Sequence, residues 1–394
     1  MALGSSHKVD ARFDRTALAE PYQALYIHIP FCKARCFYCD FKTEAIFADD
    51  HRIDSYLKDV IRQIQTASEF GMLDHIKTVY IGGGTPTHMG VKRLEKLLDA
   101  LTKTGKFDQV LECTLEANPE SIAPKLVEQA SRYGVNRISL GVQSFNDKEL
   151  VVLGRIHGAR TAHEALETIL RYCRNVSIDL ICGIPGQSLS TWQATLEQAL
   201  SHGISHVSIY PLVIEENTAL KRAILRADCE MPDEDSQAEM MLCAQDFLGK
   251  NGFERYEVAS YSRVQQEEDV RCHHNIAYWT GTPYLGLGNH AASMRVNAQT
   301  GMRERLMDGE ATEYLSPERA SLEDVMLAMR MVDGIECTKV EALAETLPSL
   351  ADTFVQLEGL GLIEKTSTTY IPTTRGWLLG NELYSRIWDV ADTM

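Results

Sequence analysis

Basic residues are in deficit along this chain of 394 residues, where 39 Lys and Arg stand against 55 Asp and Glu for a net charge of −16. A field of that sign repels phosphate backbones, and no local cluster of Lys and Arg offsets it, so no nucleic-acid partner is expected. Long apolar runs are missing too. No stretch approaches the roughly 18 residues of a membrane-crossing helix, and no secretory-type apolar segment is present, so no transmembrane segment is expected. The ten cysteines lack the framework that staples small secreted domains, which predicts free thiols in a reducing compartment, the cytoplasm. Internal repeats and low-complexity segments are absent. The first ten residues are small and polar and read as a frayed terminus.

What is present is a strong period. Six short apolar, β-branched runs stand out: Leu25 to Ile29, Thr78 to Ile81, Leu111 to Leu115, Arg137 to Leu140, Val176 to Ile181 and His206 to Tyr210. Between them, Asp54 to Glu69, Val91 to Leu101, Ala123 to Tyr133, Ala159 to Tyr172 and Leu189 to Ser201 carry i, i+3, i+4 apolar spacing. Alternating strand and helix predicts parallel βα units. Six units are too few for an eight-stranded barrel, so the expected fold is α/β, a partial (β/α)6 barrel with its site in the loops at the C-terminal strand ends. Beyond Arg295 the composition turns to charged helix and turn. Leu322 to Arg330, Gly334-Ile335, Leu357 to Glu364, Tyr370 to Pro372 and Thr374 to Gly376 read as helices followed by a two-stranded wing. Glu358 and Glu364 flank that wing, so this winged-helix-like unit is expected to act as a lid or packing domain.

The first run leads through Pro30 and Phe31 into Cys32, Cys36 and Cys39. Three thiolates on one loop can hold three irons of a 4Fe-4S cubane and leave the fourth open to a small molecule. The same spacing fits buried cysteines on one helix face, against which Pro30 and the preceding strand argue. It also fits a zinc site with His28 or Asp40 as fourth ligand, although no second Cys-x-x-Cys follows. With Tyr38 just ahead of the third cysteine, the stretch resembles the signature of the radical S-adenosylmethionine (SAM) superfamily. The resemblance implies that the open iron chelates SAM by its amino and carboxylate groups, and that one electron splits the sulfonium to a 5'-deoxyadenosyl radical.

Further candidates sit at the strand ends. Gly82-Gly83-Gly84-Thr85-Pro86 is either a plain tight turn or a turn whose bare backbone approaches a ligand. Glu116 and Gln143 can hold ribose hydroxyls and polar cofactor edges, or can be solvated loop ends. Arg155 suits a bidentate carboxylate contact, or an exposed helix start. Asp179, inside an apolar strand, needs a partner. The superfamily resemblance places Gly82, Gly83, Gly84 and Thr85 at the amino group of SAM. It sets Glu116, Gln143, Arg155 and Asp179 around its ribose, adenine and carboxylate, and adds Tyr26 and Phe41 to the cofactor-binding set.

Tyr26 to Cys32, Gly82 to Pro86, Glu116 to Pro119 and Gly141 to Ser144 together resemble the group of oxygen-independent coproporphyrinogen dehydrogenases and HemW-type haem chaperones, across roughly residues 20 to 385. The dehydrogenases carry a further cysteine where this chain has Phe41, and Cys39-Asp40-Phe41 follows the chaperone pattern. Cys272-His273-His274-Asn275-Ile276-Ala277-Tyr278-Trp279 resembles the chaperones' His-Asn-x-x-Tyr-Trp element. A histidine can ligate haem iron while Tyr and Trp offer ring faces to a macrocycle; the same residues can equally be core aromatics and satisfied histidines. His274 is the expected haem ligand. Asn289-His290-Ala291-Ala292 departs from the small Gly/Ala run of the family and makes His290 a second candidate. The division expected is a tail over 1–19, a radical SAM core over 20–255 and a C-terminal domain over 256–394 associated with haem or substrate. The resemblance implies a 4Fe-4S cluster, SAM and haem as cofactors, and a low-potential electron donor and haem-accepting proteins as partners. The function it favours is haem binding and delivery, with anaerobic tetrapyrrole chemistry or a radical SAM methyltransferase as enzyme rivals.

Overall fold

The computed structural model describes residues 19–230, 233–264 and 268–393; the expected tail therefore lies almost wholly outside the described residues. All six runs form strands: β1 Ala24–Ile29, β2 Thr78–Gly83, β3 Glu112–Ala117, β4 Arg137–Gln143, β5 Asn175–Cys182 and β6 His206–Pro211. Each lies parallel to the next. The crossovers carry α1 His51–Glu69, α2 Val91–Thr102, α3 Pro124–Arg132, α4 Asp147–Val152, α5 Ala159–Leu170 and α6 Leu189–Leu200.

The two faces of this sheet differ in kind. Leu25, Ile27, Val79, Ile81, Leu115, Ile138, Ile178 and Val207 are buried against the helices in one hydrophobic core. The intervening positions carry Tyr26, Tyr80, Glu116, Ser139 and Asp179, which meet one another across the concave face. Period-two alternation thus sends apolar side chains out to the helices and polar ones into the barrel.

The sheet extends beyond the six expected strands. After α7 Ala219–Leu225 and α8 Glu234–Lys250, β7 Phe253–Arg255 and β8 Ser260–Arg263 add antiparallel strands beside β6. Helix α9 His273–Trp279 precedes β9 Tyr284–Leu287, a seventh parallel strand on the free edge of β1. Then β10 Ala292–Val296, β11 Arg303–Met307 and β12 Glu310–Leu315 continue antiparallel. The twelve strands run in the open order β12-β11-β10-β9-β1-β2-β3-β4-β5-β6-β8-β7. The expectation of helix and turn after Arg295 is corrected for residues 303–315. Their charges pair across strands, Arg295 with Glu304 and Arg305 with Glu313, which suits a solvated edge.

Helix α10 Pro317–Ala328 leads to the C-terminal unit: β13 Ile335–Glu336, α11 Cys337–Ala344, α12 Ser349–Gly359, β14 Ile363–Lys365, β15 Thr369–Pro372, α13 Thr374–Leu378 and α14 Gly380–Trp388. The expected two-strand wing is there, widened by β13 into the order β13-β15-β14. Arg255 is the last residue of β7 and pairs with Tyr261 of β8. The two hydrophobic cores separate later, between Leu287 and Leu322. No helix among the described residues is long and apolar enough to cross a membrane.

Candidate functional site

The cysteine stretch is a loop and not a helix. Its start, Phe31–Cys32, pairs with Glu44–Ala45, so residues 33–43 are held as a closed excursion above the barrel. The zinc reading loses its proposed histidine: His28 Nδ1 lies 2.9 Å from the Tyr26 hydroxyl and its Nε2 lies 3.4 Å from the Lys42 carbonyl. Among the described residues no three His, Cys, Asp or Glu side chains converge as ligands of a single ion would, whereas a cubane needs thiols spread over several irons. Burial pushes the Cys32 thiol up to about 11 and raises that of Cys39, so both stay protonated near neutrality unless a metal's charge compensates.

A chain of hydrogen bonds ties this loop to the strand ends. The Thr85 hydroxyl donates to Cys32 Sγ (3.5 Å) and accepts from Asn118 Nδ2 (2.7 Å). Arg155 Nη2 donates to Asn118 Oδ1 and to the Gly141 carbonyl, both at 2.6 Å, while its Nη1 reaches Cys36 Sγ at 3.4 Å. Gly84 lets the second strand end dock on the loop, since a Cβ there would sit 2.7 Å from the Phe31 carbonyl oxygen. Its N–H donates to the Ile29 carbonyl (2.8 Å). Gly83, at φ 112°, donates to Glu116 Oε2 (2.9 Å), whose other oxygen accepts from the Tyr80 hydroxyl (2.7 Å). A Cβ on Gly82 would press on that same carboxylate. The glycine run is thus close approach between parts of this chain, and it fixes the turn beside the cysteines.

Gln143 adopts φ 69°, a left-handed conformation unusual for a non-glycine residue, and a Cβ on Gly141 would meet its Nε2 at 3.0 Å. Asp179 finds the Ser139 hydroxyl 3.3 Å from each carboxylate oxygen. Burial, reinforced by the Glu116 charge, pushes its pKa up to about 7. Burial likewise raises Glu116. The structure therefore gathers Cys32, Cys36, Gly83, Thr85, Glu116, Gln143 and Arg155 at one end of the barrel, with Asp179 inside it. Asn118 and Tyr80 join them without having been singled out; Tyr80 was legible as the inward position two before Gly82.

A cavity of about 600 Å3 opens beside this cluster of residues. Tyr26, His28, Phe41, Lys42, Gly83 and Glu116 form one wall; Tyr278, Trp279, Tyr284, Met294, Arg303 and Arg305 are among the residues facing them. Phe41 is 71% exposed at its mouth. Arg303 and Arg305 both contact Glu323, which they hold between them.

His274 is not presented to this cavity, and its expected role as haem ligand is not met by this geometry. Helix α9 packs at the N-terminal strand ends, its His273 and His274 N–H groups donating to Glu112 at 2.9 and 3.1 Å. The His274 ring is 1% exposed, with Nδ1 on the Thr78 hydroxyl (2.9 Å) and Nε2 on the Tyr278 hydroxyl (3.2 Å). It stacks on Tyr80 at 5.1 Å. Burial, then the Arg137 charge, depresses its pKa to about 3. Tyr278 does lie one turn on and against His274, as the spacing predicts, with ring centroids 4.9 Å apart.

Comparison with known proteins places residues 26–199 within the radical SAM superfamily. The chain is 30% identical to the haem chaperone HemW of Bacillus subtilis over 378 residues, covering 92% of this chain and 98% of that protein. It is 31% identical to HemW of Lactococcus lactis over 334 residues, covering 82% and 85%. Among solved structures it resembles the coproporphyrinogen III oxidase HemN of Escherichia coli, a radical SAM enzyme. There the TM-score is 0.78 at 20% identity, covering 99% of this chain and 94% of that one.

Proposed function

The chain belongs to the HemW haem chaperone family within the radical SAM superfamily, and from that premise we propose that it binds haem in the cavity beside the cysteine loop and delivers it to haem-dependent proteins. Its cofactors are a 4Fe-4S cluster and SAM. The observation that carries the reading is the cavity itself, where aromatic faces and cationic groups line one space of about 600 Å3, within the usual range for a ligand pocket. Flat apolar rings suit the aromatic walls, and a peripheral carboxylate suits Lys42.

Cys32, Cys36 and Cys39 would hold the cluster. Gly82, Gly83, Gly84, Thr85, Glu116, Gln143, Arg155 and Asp179 would hold SAM, with Tyr26 and Phe41 completing the set. When bound, the cluster supplies a low-potential electron and an open iron for the amino acid end of SAM. Arg155 orients the Cys36 side of the loop and can meet a carboxylate, and Thr85 steadies Cys32. Asp179, poised near neutrality, can accept hydroxyl hydrogen bonds when ionised. A low-potential electron donor, haem-accepting proteins and the cytoplasm complete the proposal; all ten cysteines are free thiols, as a reducing compartment requires.

One observation favours a radical reaction on the bound ligand as a second reading: Tyr26, Gly83 and Glu116 line the same cavity as Phe41 and Tyr278. The experiment is to load the anaerobically reconstituted full chain with ferric haem, mix it with an apo-globin and follow the Soret band. Transfer to the globin is expected. Failure to bind haem, or consumption of coproporphyrinogen III under reducing conditions, would overturn the chaperone reading in favour of the enzyme.

A further inference from the structure

Two histidines line the cavity beside the cysteine loop, His28 and His290, and they differ in what their ring nitrogens are doing. Both nitrogens of His28 are engaged, by Tyr26 and by the Lys42 carbonyl. His290 stands on the turn between β9 and β10 with its side chain half exposed. It also lines a neighbouring recess of about 460 Å3 that shares Phe41 and Lys42 with the cavity. The imidazole therefore lines both hollows.

Its support is specific. The backbone N–H of His290 donates to Asp308 Oδ1 at 2.6 Å, and the other oxygen of the same carboxylate faces His290 Nδ1 at 3.6 Å. Both residues lie in the left-handed region, His290 at φ 64° and Asp308 at φ 52°. Asp308 does so as the first residue of the two-residue turn joining β11 to β12, and histidine enters this region more readily than most side chains. The Asp308 carboxylate faces the Nδ1 side of the ring, and Nε2 points at no hydrogen-bond partner among the described residues, so that nitrogen is open to a metal. Phe41 and Met294 give apolar surface beside it, and Lys42 and Arg35 give cations.

From this we propose that His290, through Nε2, is the axial ligand of the haem iron, that Asp308 is its positioning residue, and that His274 serves only the fold. The inference rests on the haem-binding reading above. It requires no electron transfer: a lone pair fills one coordination position of the iron, displacing whatever weak ligand the free haem carried.

The test is titration of ferric haem into the full chain, read by the Soret band and by EPR. His290→Gly is the informative variant, because glycine keeps the left-handed backbone while removing the ring. Binding is expected to weaken about tenfold or more, with conversion to a high-spin spectrum that added imidazole returns to the wild-type form. Asp308→Asn should keep the wild-type spectrum type and weaken binding about tenfold. His274→Gln should leave the spectrum of its folded fraction unchanged. A His290→Gly protein with wild-type spectrum and affinity would overturn the assignment, and so would a lost spectrum that imidazole does not restore. If the wild-type chain binds no haem at all, the function proposed above falls first and this inference with it. Haem bound equally by both proteins removes only the role of His290.

Discussion

The His274 ring is buried, with a neutral hydroxyl on each nitrogen, and that burial decides how the side chain responds to acid. Its pKa is depressed to about 3 in the fold against about 6.5 when unfolded. Below pH 6.5 the unfolded chain therefore takes up a proton that the native state refuses. Its stabilising contribution is complete above pH 6.5 and is lost as pH falls toward 3, at about 1.4 kcal/mol per pH unit. Urea unfolding between pH 7 and 5 should show this slope, and His274→Gln should reduce it; an unchanged slope would mean that the ring is not sealed. Arg155 belongs to the same scale. Because it ties Asn118, Gly141 and Cys36 together, Arg155→Ala is expected to weaken SAM binding by about 1.5 to 3 kcal/mol, the range for hydrogen bonds to a charged group. Wild-type affinity by calorimetry would contradict its assigned place. The cysteine spacing was legible in the sequence because a loop ligand set is local. The burial of His274 was not, because its partners Thr78 and Glu112 come from strands more than 150 residues away.

Among the elements, the second strand end and the cysteine loop are joined by contact between backbones. A methyl group on Gly84 would meet the Phe31 N and carbonyl O and the Ile29 carbonyl within 3.0 Å, and none of these atoms can turn aside. Gly84→Ala should cost about 1 to 3 kcal/mol, as overpacking does, and should lower the iron and sulfide retained per chain after reconstitution. Gly249→Ala, in α8 with open space around it, should be neutral or stabilising by about 0.5 to 1 kcal/mol. Equal effects in the two variants would refute the docking argument. The same contrast between local and distant partners explains what could be read of the strands. The six parallel strands announce themselves because their helix-facing side is a row of Leu, Ile and Val. Strand β9 has four residues, one of them Gly286, too few to show a period. Strands β11, Arg-Glu-Arg-Leu-Met, and β12, Glu-Ala-Thr-Glu-Tyr-Leu, carry charge on both faces and no apolar alternation, a pattern that edge strands and solvated helices share.

At the scale of the molecule, two hydrophobic cores are coupled through a narrow seam. Val258 N–H donates to the Arg330 carbonyl (2.9 Å), Val332 N–H to the Tyr256 carbonyl (3.1 Å), and Trp279 Nε1 to Glu257 (3.0 Å). The Arg330 guanidinium lies 5.0 Å from the Trp279 ring and 4.2 Å from that of Tyr384, bridging α9 to the C-terminal unit. Denaturant unfolding of the wild type should be a single transition. Arg330→Ala, which removes two cation–π contacts of about 0.5 to 2 kcal/mol each, should let residues 335–388 exchange amide hydrogens before the barrel does. Simultaneous loss of protection would show the seam to be held by other contacts. The parallel pairing of β1 with β9 also has a consequence in time. Residue 24 leaves the ribosome about 260 residues before its neighbour at 284, an interval on the order of 10 to 50 s at ordinary synthesis rates. Once residues 78–83 have been made, the strand that leads into the cysteine loop has one side paired and the other bare. A nascent chain halted before residue 284 should therefore be prone to edge-to-edge association, and the full-length chain should not.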